Sequence, residues 1–354
     1  MYKNQLWLFA LIILSVACKP ALVRQTQSDA KQPHLLDAPF PVGVAVNIDK
    51  LKNLPVYRQI VIQEFSSITA ENAMKGQHMQ PEKGKFVWDN TDYLVEFCQT
   101  YHKQLHGHTL IWHLQQPQWL KNFQGDSAAW EGVMKDHIQT IVRRYKGKVK
   151  SWDVVNEAID DKDTSSLRKS MWTEHLGEDY ITRAFQYAHE ADPQALLFYN
   201  DYGIENNNQK LAAVLKRVDD FKRRGIPIHG VGLQMHINCK HSIEDIEYAL
   251  GEISRRGLKV HISELDLSVN PEGEDTSISE ALLQKQKEKI KEITALYKAL
   301  PPANQYALTF WGVSDADSWI RSWFKRKDWP LLYDDNYQPK PAYQGFMEGL
   351  ISND

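Results

Sequence analysis

The chain has 354 residues, 42% hydrophobic and 25% charged, an ordinary globular composition with room for one large barrel or two domains. Its formal net charge of -3 offers no basic footprint for a nucleic-acid partner. The informative deviation is aromatic, with 11 Trp and 15 Tyr, flat side chains that serve either as core or as platforms for sugar rings.

In chain order, Lys3 precedes an apolar run over residues 6–14 that is too short to span a bilayer comfortably. Ser15-Val16-Ala17 is a small-residue cleavage pattern, and Cys18 follows at once. The arrangement resembles the lipobox of bacterial lipoproteins, with Ser15 where that motif usually has Leu. It predicts a signal peptide over residues 1–17, lipid attachment at Cys18 in preference to simple secretion, and a flexible tether from there to residue 38. The protein is therefore expected to be exported, as a cell-envelope lipoprotein, with that lipid as its one membrane contact.

Residues 39–354 read as a single domain in which strand-like runs alternate with helical patterns. Strands are expected over residues 42–47, 67–72, 104–112, 149–158, 195–200, 230–236, 259–265 and 306–311. Helices are expected between and after them, over residues 56–65, 93–102, 128–145, 178–190, 209–224, 243–256, 279–300 and 342–350. Eight strand-helix units in unbroken alternation point to an α/β fold, one (β/α)8 TIM barrel. The competing topology is a doubly wound open sheet. Against it, the first strand is not followed by a Gly-rich phosphate loop.

Polar residues gather at the C-terminal ends of these strands: Asn47, Glu71 with Asn72, His108, Asn156 with Glu157, Asn200, Gln234 with His236, Glu264, and Trp311. In a barrel all those ends open on one face, the face that carries the active site. Residues 149–158 are the sharpest case, a buried valine-rich strand that ends in an amide and a carboxylate. Glu157 could simply pair with a cation. Glu264, ending the seventh strand, gives it a partner of another kind. Two carboxylates, one kept protonated as acid and one ionised as nucleophile or base, suit glycoside hydrolysis, which needs no metal or other cofactor. His106 and His108 lie on one side of a strand, with His113 nearby, so a metal pair is geometrically possible. The neighbouring Thr109, Trp112 and Gln115 read instead as sugar contacts. Lys75, just past the second strand, is a further candidate donor to a sugar hydroxyl. Cys98 and Cys239 read as two buried thiols in preference to a disulfide.

Seven segments, in order, resemble glycoside hydrolase family 10, the endo-β-1,4-xylanases. They are Thr69-Ala70-Glu71-Asn72-Ala73-Met74-Lys75, the run from Gly107 to Gln115, Trp152-Asp153-Val154-Val155-Asn156-Glu157-Ala158, Tyr199-Asn200-Asp201-Tyr202, Gly232-Leu233-Gln234-Met235-His236, Ile262-Ser263-Glu264-Leu265-Asp266, and the run from Trp311 to Trp319. The resemblance implies Glu157 as general acid/base and Glu264 as nucleophile in a retaining double displacement. It implies that Asn156 hydrogen-bonds the 2-hydroxyl of the sugar under attack, and that His236 keeps Glu264 ionised with Gln234 close by. Asn72, Lys75, His108, Trp112 and Gln115 would bind the glycone sugars, and Tyr202, Trp311 and Trp319 would wall the cleavage point. The implied partner is xylan or xylo-oligosaccharide, bound by a monomer. Three positions depart from the family pattern: Gly76 where an aromatic is frequent, Leu114 for a usual Ser, and Ser314 for a usual Arg. A related β-1,4-glucanase, which needs room for the hydroxymethyl group that xylose lacks, and a non-catalytic glycan-binding lipoprotein are the competing functions.

Overall fold

A computed structural model describes Met1 and residues 34–351, so the signal-peptide and Cys18 expectations lie outside the described residues. The end of the expected tether is corrected: the folded domain already includes His34. Leu35–Asp37 form a 3-10 turn, Leu35 is buried, and its N–H donates to Glu64 Oε2 at 3.0 Å. Polar composition hides such a docked turn, because one buried leucine and one main-chain bond are enough to hold it.

Among the described residues nine parallel strands follow: β1 (Val42–Val46), β2 (Ser67–Ala70), β3 (Gln104–Gly107), β4 (Ser151–Asn156), β5 (Leu196–Asp201), β6 (Gly230–Leu233), β7 (His236–Asn238), β8 (Lys259–Ser268) and β9 (Gln305–Phe310). Eight of them pair in a ring, because β1 bonds both β2 and β9 while β6 bonds β8 directly. The sheet therefore closes into the expected (β/α)8 barrel. Helices Pro55–Glu64, Asp89–Thr100, Ser127–Arg144, Tyr180–Ala191, Asn208–Arg223, Ile243–Arg255, Glu280–Ala299 and Pro341–Ile351 cover it. Several start at side-chain caps: Asp126 accepts from Ala129 N–H, Ser242 from Asp245 N–H and Ser279 from Leu282 N–H.

Five expected strands are shorter than the sequence indicates: the first, second and fourth lose one to four terminal residues, and the third and sixth are cut by breaks. The third stops at Gly107, and the segment rejoins the wall where Leu110 N–H donates to the Asp153 main-chain oxygen at 3.0 Å and Ile111 bridges Val155. The sixth breaks at Gln234-Met235, where Met235 has φ 58, a left-handed conformation rare for a non-glycine residue. Beyond that break β7 pairs only with the outer end of β8, His236 lying opposite Asp266. Apolar patterning does not register a kink of this kind. The kink aims Gln234 and His236 at different partners.

Close packing explains two strand glycines. A Cβ on Gly107 would stand 2.1 Å from the Trp152 ring, and one on Gly232 would stand 2.1 Å from Asn200 Oδ1. Glycine leaves the space that the larger side chain of the adjacent strand occupies there. The ladder slips at Asp153/Val155 between β4 and β5, and at Ile262/Leu265 between β8 and β9. Such irregularities re-aim side chains, and both lie beside the two glutamates. Cys98 and Cys239 are free thiols, the first buried and the second half-buried.

Candidate active site

Glu157 follows the last residue of β4 in a left-handed conformation, φ 56, and is 7% exposed. Backbone in that region is stored strain in a non-glycine residue, and such strain clusters at functional sites. Three neutral donors converge on its carboxylate. Trp112 Nε1 donates to Oε2 at 2.7 Å, and Gln234 Nε2 and Asn156 Nδ2 donate to Oε1 at 2.9 and 3.0 Å. Burial is the largest influence on its pKa and raises it above the ordinary glutamate range. The Gln234 bond works against that rise, and the charges of Asp201 and Glu264 add to it. Oε1 accepts two of these bonds and Oε2 one. His113 Nδ1 lies 3.9 Å from that oxygen, and burial pushes this imidazole down to about 4, so it stays neutral.

Glu264, 4% exposed, sits inside β8 and is tuned the other way. Asn200 Nδ2 donates to its Oε1 at 2.8 Å, and His236 Nε2 lies 3.2 Å from its Oε2. Burial opposes ionisation, but His108 and the hydrogen-bonded His236, with Lys75 behind them, outweigh it and hold Glu264 below the ordinary range. His236 is half-buried, and its desolvation disfavours the cation, yet Asp266 and Glu264 raise it well above the usual imidazole value. Asp266 Oδ2 takes His236 Nδ1 at 2.9 Å and Trp319 Nε1 at 2.7 Å. Glu264 and Asp266 are two residues apart, hence on one side of the strand. A chain of amides joins the carboxylates: Asn200 Nδ2 also donates to Asn156 Oδ1 at 2.9 Å, and Asn156 reaches Glu157. Ser263 Oγ fixes Asn200 from behind at 2.7 Å.

Most of the sequence candidates meet at this mouth. Lys75 is 6% exposed, with its Nζ 3.2 Å from Asn72 Oδ1 and lying 5.1 and 5.7 Å over the Trp112 and Trp311 rings. Burial lowers its basicity, against the pull of Glu264, Glu71 and Glu157. His108 packs edge-on against Trp311 at 5.3 Å and lies 4.0 Å from Glu264. Trp112 is steadied by Trp172 Nε1, which donates to its main-chain oxygen at 2.9 Å. Two candidates stand apart. Gln115, at φ 47, bonds Gln77 and touches neither carboxylate. Tyr202 bonds Asp161 and Arg168 and sits under Lys210 Nζ at 3.8 Å, a flank that reaches Glu157 only through Arg168 Nε on its main-chain oxygen at 3.1 Å.

The histidine pair considered for a metal serves another carboxylate. His108 Nδ1 lies 2.9 Å from Asp153 Oδ2, and His106 Nε2 lies 2.9 Å from the same oxygen without a hydrogen bond to it. Among the described residues, no group of three or more His, Cys, Asp and Glu could hold a metal ion. Sequence reasoning gathered Asn200 with the strand-end polar residues but gave it no role, and it left out Asp266 and Arg168. Spacing from Glu264 could have marked Asp266. Nothing local marks Arg168.

A site with one buried carboxyl biased toward its protonated form, a second biased toward its ionised form, and aromatic walls suits attack on an acetal carbon with protonation of its leaving oxygen. The comparisons point the same way. The family model described as Glycosyl hydrolase family 10 matches residues 33–349. The chain is 39% identical over 320 residues to "Exoglucanase XynX" of Acetivibrio thermocellus, covering 86% of this chain and 28% of that protein. It is 38% identical over 319 residues to an endo-1,4-beta-xylanase of Geobacillus stearothermophilus, covering 86% of this chain and 94% of that one. A variant of xylanase 10C from Cellvibrio japonicus, solved in complex with xylopentaose, superposes with a TM-score of 0.87 at 37% identity, covering 91% of this chain and 69% of that one. The chain spans only 27% to 59% of the length of four curated relatives it matches.

Proposed function

The chain belongs to glycosyl hydrolase family 10, and on that premise we propose that its barrel mouth hydrolyses internal β-1,4-xylosidic linkages of xylan with retained anomeric configuration. The observation that carries the reading is the opposite tuning of two buried carboxyls, Glu157 upward and Glu264 downward, at one barrel end. Ionised Glu264 attacks the anomeric carbon while the proton on Glu157 passes to the leaving oxygen, giving a glycosyl-enzyme. Esterifying Glu264 removes its negative charge, which lowers the proton affinity of Glu157. Glu157 then takes a proton from water as that water releases the sugar. Asn156, bonded to both Glu157 and Asn200, is placed to meet a hydroxyl next to the reacting carbon. Trp311 and Trp319 wall the sugar, and Lys75 with Asn72 supplies donors on the β2 side.

The test is release of reducing ends from xylan, mixed-linkage glucan and soluble cellulose, with the product anomer followed by proton NMR. Xylan should be hydrolysed fastest, giving the β-anomer first. The name of the Acetivibrio thermocellus relative keeps β-1,4-glucan as a second reading. Equal or faster glucan hydrolysis would establish that one, and no hydrolysis at all would leave a glycan-binding protein.

Export with a lipid on Cys18, and action as a monomer, complete the proposal. What supports the lipid is the pattern of residues 3–18. A Cys18→Ser variant should lose labelled fatty acid and leave the membrane fraction, and light scattering should give the mass of one chain.

A further inference from the structure

Among the described residues, large exposed apolar side chains are scattered except at one place, where Trp323 (70% exposed) and Phe324 (51% exposed) are consecutive. They end the helix Trp319–Phe324, which Lys325 stops in a left-handed conformation, φ 53. Trp319 and Trp323 are four apart and so share a helix face, with ring centroids 6.4 Å apart. Phe324 lies 5.8 Å from the Trp319 ring. Arg326 backs it with a guanidinium 4.6 Å over the ring, itself held by Asp328 Oδ2 and Ser268 Oγ. The patch is continuous with the active site, because Trp319 Nε1 bonds the same Asp266 that orients His236 against Glu264.

An indole left in water beside a cleft, on a helix pinned at both ends, is an unspent binding surface. Asp317 pins the entry, accepting from Lys50 and from Tyr337 OH, and the Arg326–Asp328 pair pins the exit. A lipid or protein surface would call for a broader apolar area than two rings. A pyranose, by contrast, presents a flat C–H face of one ring's size. Its β-1,4-linked neighbour already lies against Trp319 if the cleft holds the chain proposed above.

We propose that Trp323, with Phe324 at its edge, is a stacking platform for an outlying sugar ring of the bound β-1,4-linked chain, so that the enzyme favours long chains over short ones. The proposal deepens the reading of the site as a xylanase and rests on it. Its test compares Trp323→Ala, Trp323→Phe and wild type by kcat/KM on xylotriose, xylohexaose and polymeric xylan. Trp323→Ala should match wild type on xylotriose and lose about three- to tenfold on the hexaose and the polymer, the size of one aromatic contact. Trp323→Phe should recover most of that loss. Equal rates for Trp323→Ala and wild type at every length would overturn the proposal, as would an equal loss at every length. So would a Trp323→Ala defect confined to dimerisation or to sedimentation with phospholipid vesicles. A wild-type protein inactive on every xylan would instead sink the reading of the site, an outcome the three-way comparison separates from failure of the platform.

Discussion

Asp266→Asn keeps the shape of the site and removes one charge, which isolates the reason Glu264 stays ionised. In the wild-type protein Asp266 Oδ2 receives His236 Nδ1 at 2.9 Å and Trp319 Nε1 at 2.7 Å, and it is 1% exposed. Hydrogen bonds to a charged acceptor are worth about 1.5–3 kcal/mol, against about 1 kcal/mol for neutral ones, so each bond should weaken by about 1 kcal/mol. Burial, which already opposes the His236 cation, is then no longer outweighed, and the imidazole should become neutral near pH 7. Glu264 loses a cationic partner 3.2 Å away and becomes easier to protonate. Its pKa in the folded wild type is depressed, so its ionised form is lost only as pH falls below the ordinary carboxylate range. The variant should lose activity at a higher pH, and its rate at neutral pH should fall about tenfold, equivalent to ~1.4 kcal/mol. The assay is kcat/KM on xylohexaose from pH 3 to 9, with the His236 ring followed by NMR (about a tenfold window around the optimum suffices). An acid limb that stays in place while His236 still titrates above the usual imidazole range would refute the reasoning.

Further outcomes follow from the same contacts. Wild-type activity should be bell-shaped in pH: the acid limb reports Glu264, held low, and the alkaline limb reports Glu157, held high, so both limbs move when the corresponding carboxyl is replaced. Glu157→Ala should cost about 10²–10⁴-fold on xylo-oligosaccharide but far less on an aryl xyloside whose leaving group needs no proton, and equal losses on both substrates would remove its role as acid. Asn200→Ala should leave the Ser263 hydroxyl and one Glu264 oxygen short of partners, lowering stability by about 2–4 kcal/mol in a urea melt, and an unchanged midpoint would count against the amide chain. Gly107→Ala drives a methyl group to 2.1 Å from the Trp152 ring and should destabilise by about 1–3 kcal/mol, with activity lost at lower temperature than in the wild type.

The barrel was legible because periodicity changes cleanly from strand to helix along the chain, and the eight expected helices fall within a few residues of those in the structure. The site was legible in part because a barrel collects strand ends on one face, which brought Glu157, Glu264, Asn156, Gln234 and His236 together from segments far apart in sequence. What patterning could not reach depends on backbone angle or on partners outside any motif. Met235 turns left-handed and splits one expected strand into β6 and β7, and that split sends Gln234 to Glu157 and His236 to Glu264. Arg168 arrives from an irregular loop to bond the Glu157 main chain, and composition gives no sign of it. Tyr202 was expected to wall the cleavage point, and its hydroxyl is engaged with Asp161 and Arg168. Leu35 was read as tether because a single buried side chain leaves no periodic trace.

β4 carries two buried carboxylates, and comparing them answers whether Glu157 is a structural ion-pair partner. Asp153 is 1% exposed and lies between His106 and His108, whose influence overcomes burial and holds it well below the ordinary carboxylate range. A carboxylate locked that far down cannot serve as an acid near neutral pH, so its work is to orient the rings beside it. Glu157, three positions past the strand's bulge, meets no cation within hydrogen-bonding reach. Its partners are an indole and two amides, donors that stabilise the ionised form without forbidding the protonated one. Burial and the nearby charges of Asp201 and Glu264 then decide its state, and the Glu264 charge is the one that disappears when a covalent bond forms there. Neutral donors keep the proton of Glu157 movable, and a removable charge at Glu264 moves it.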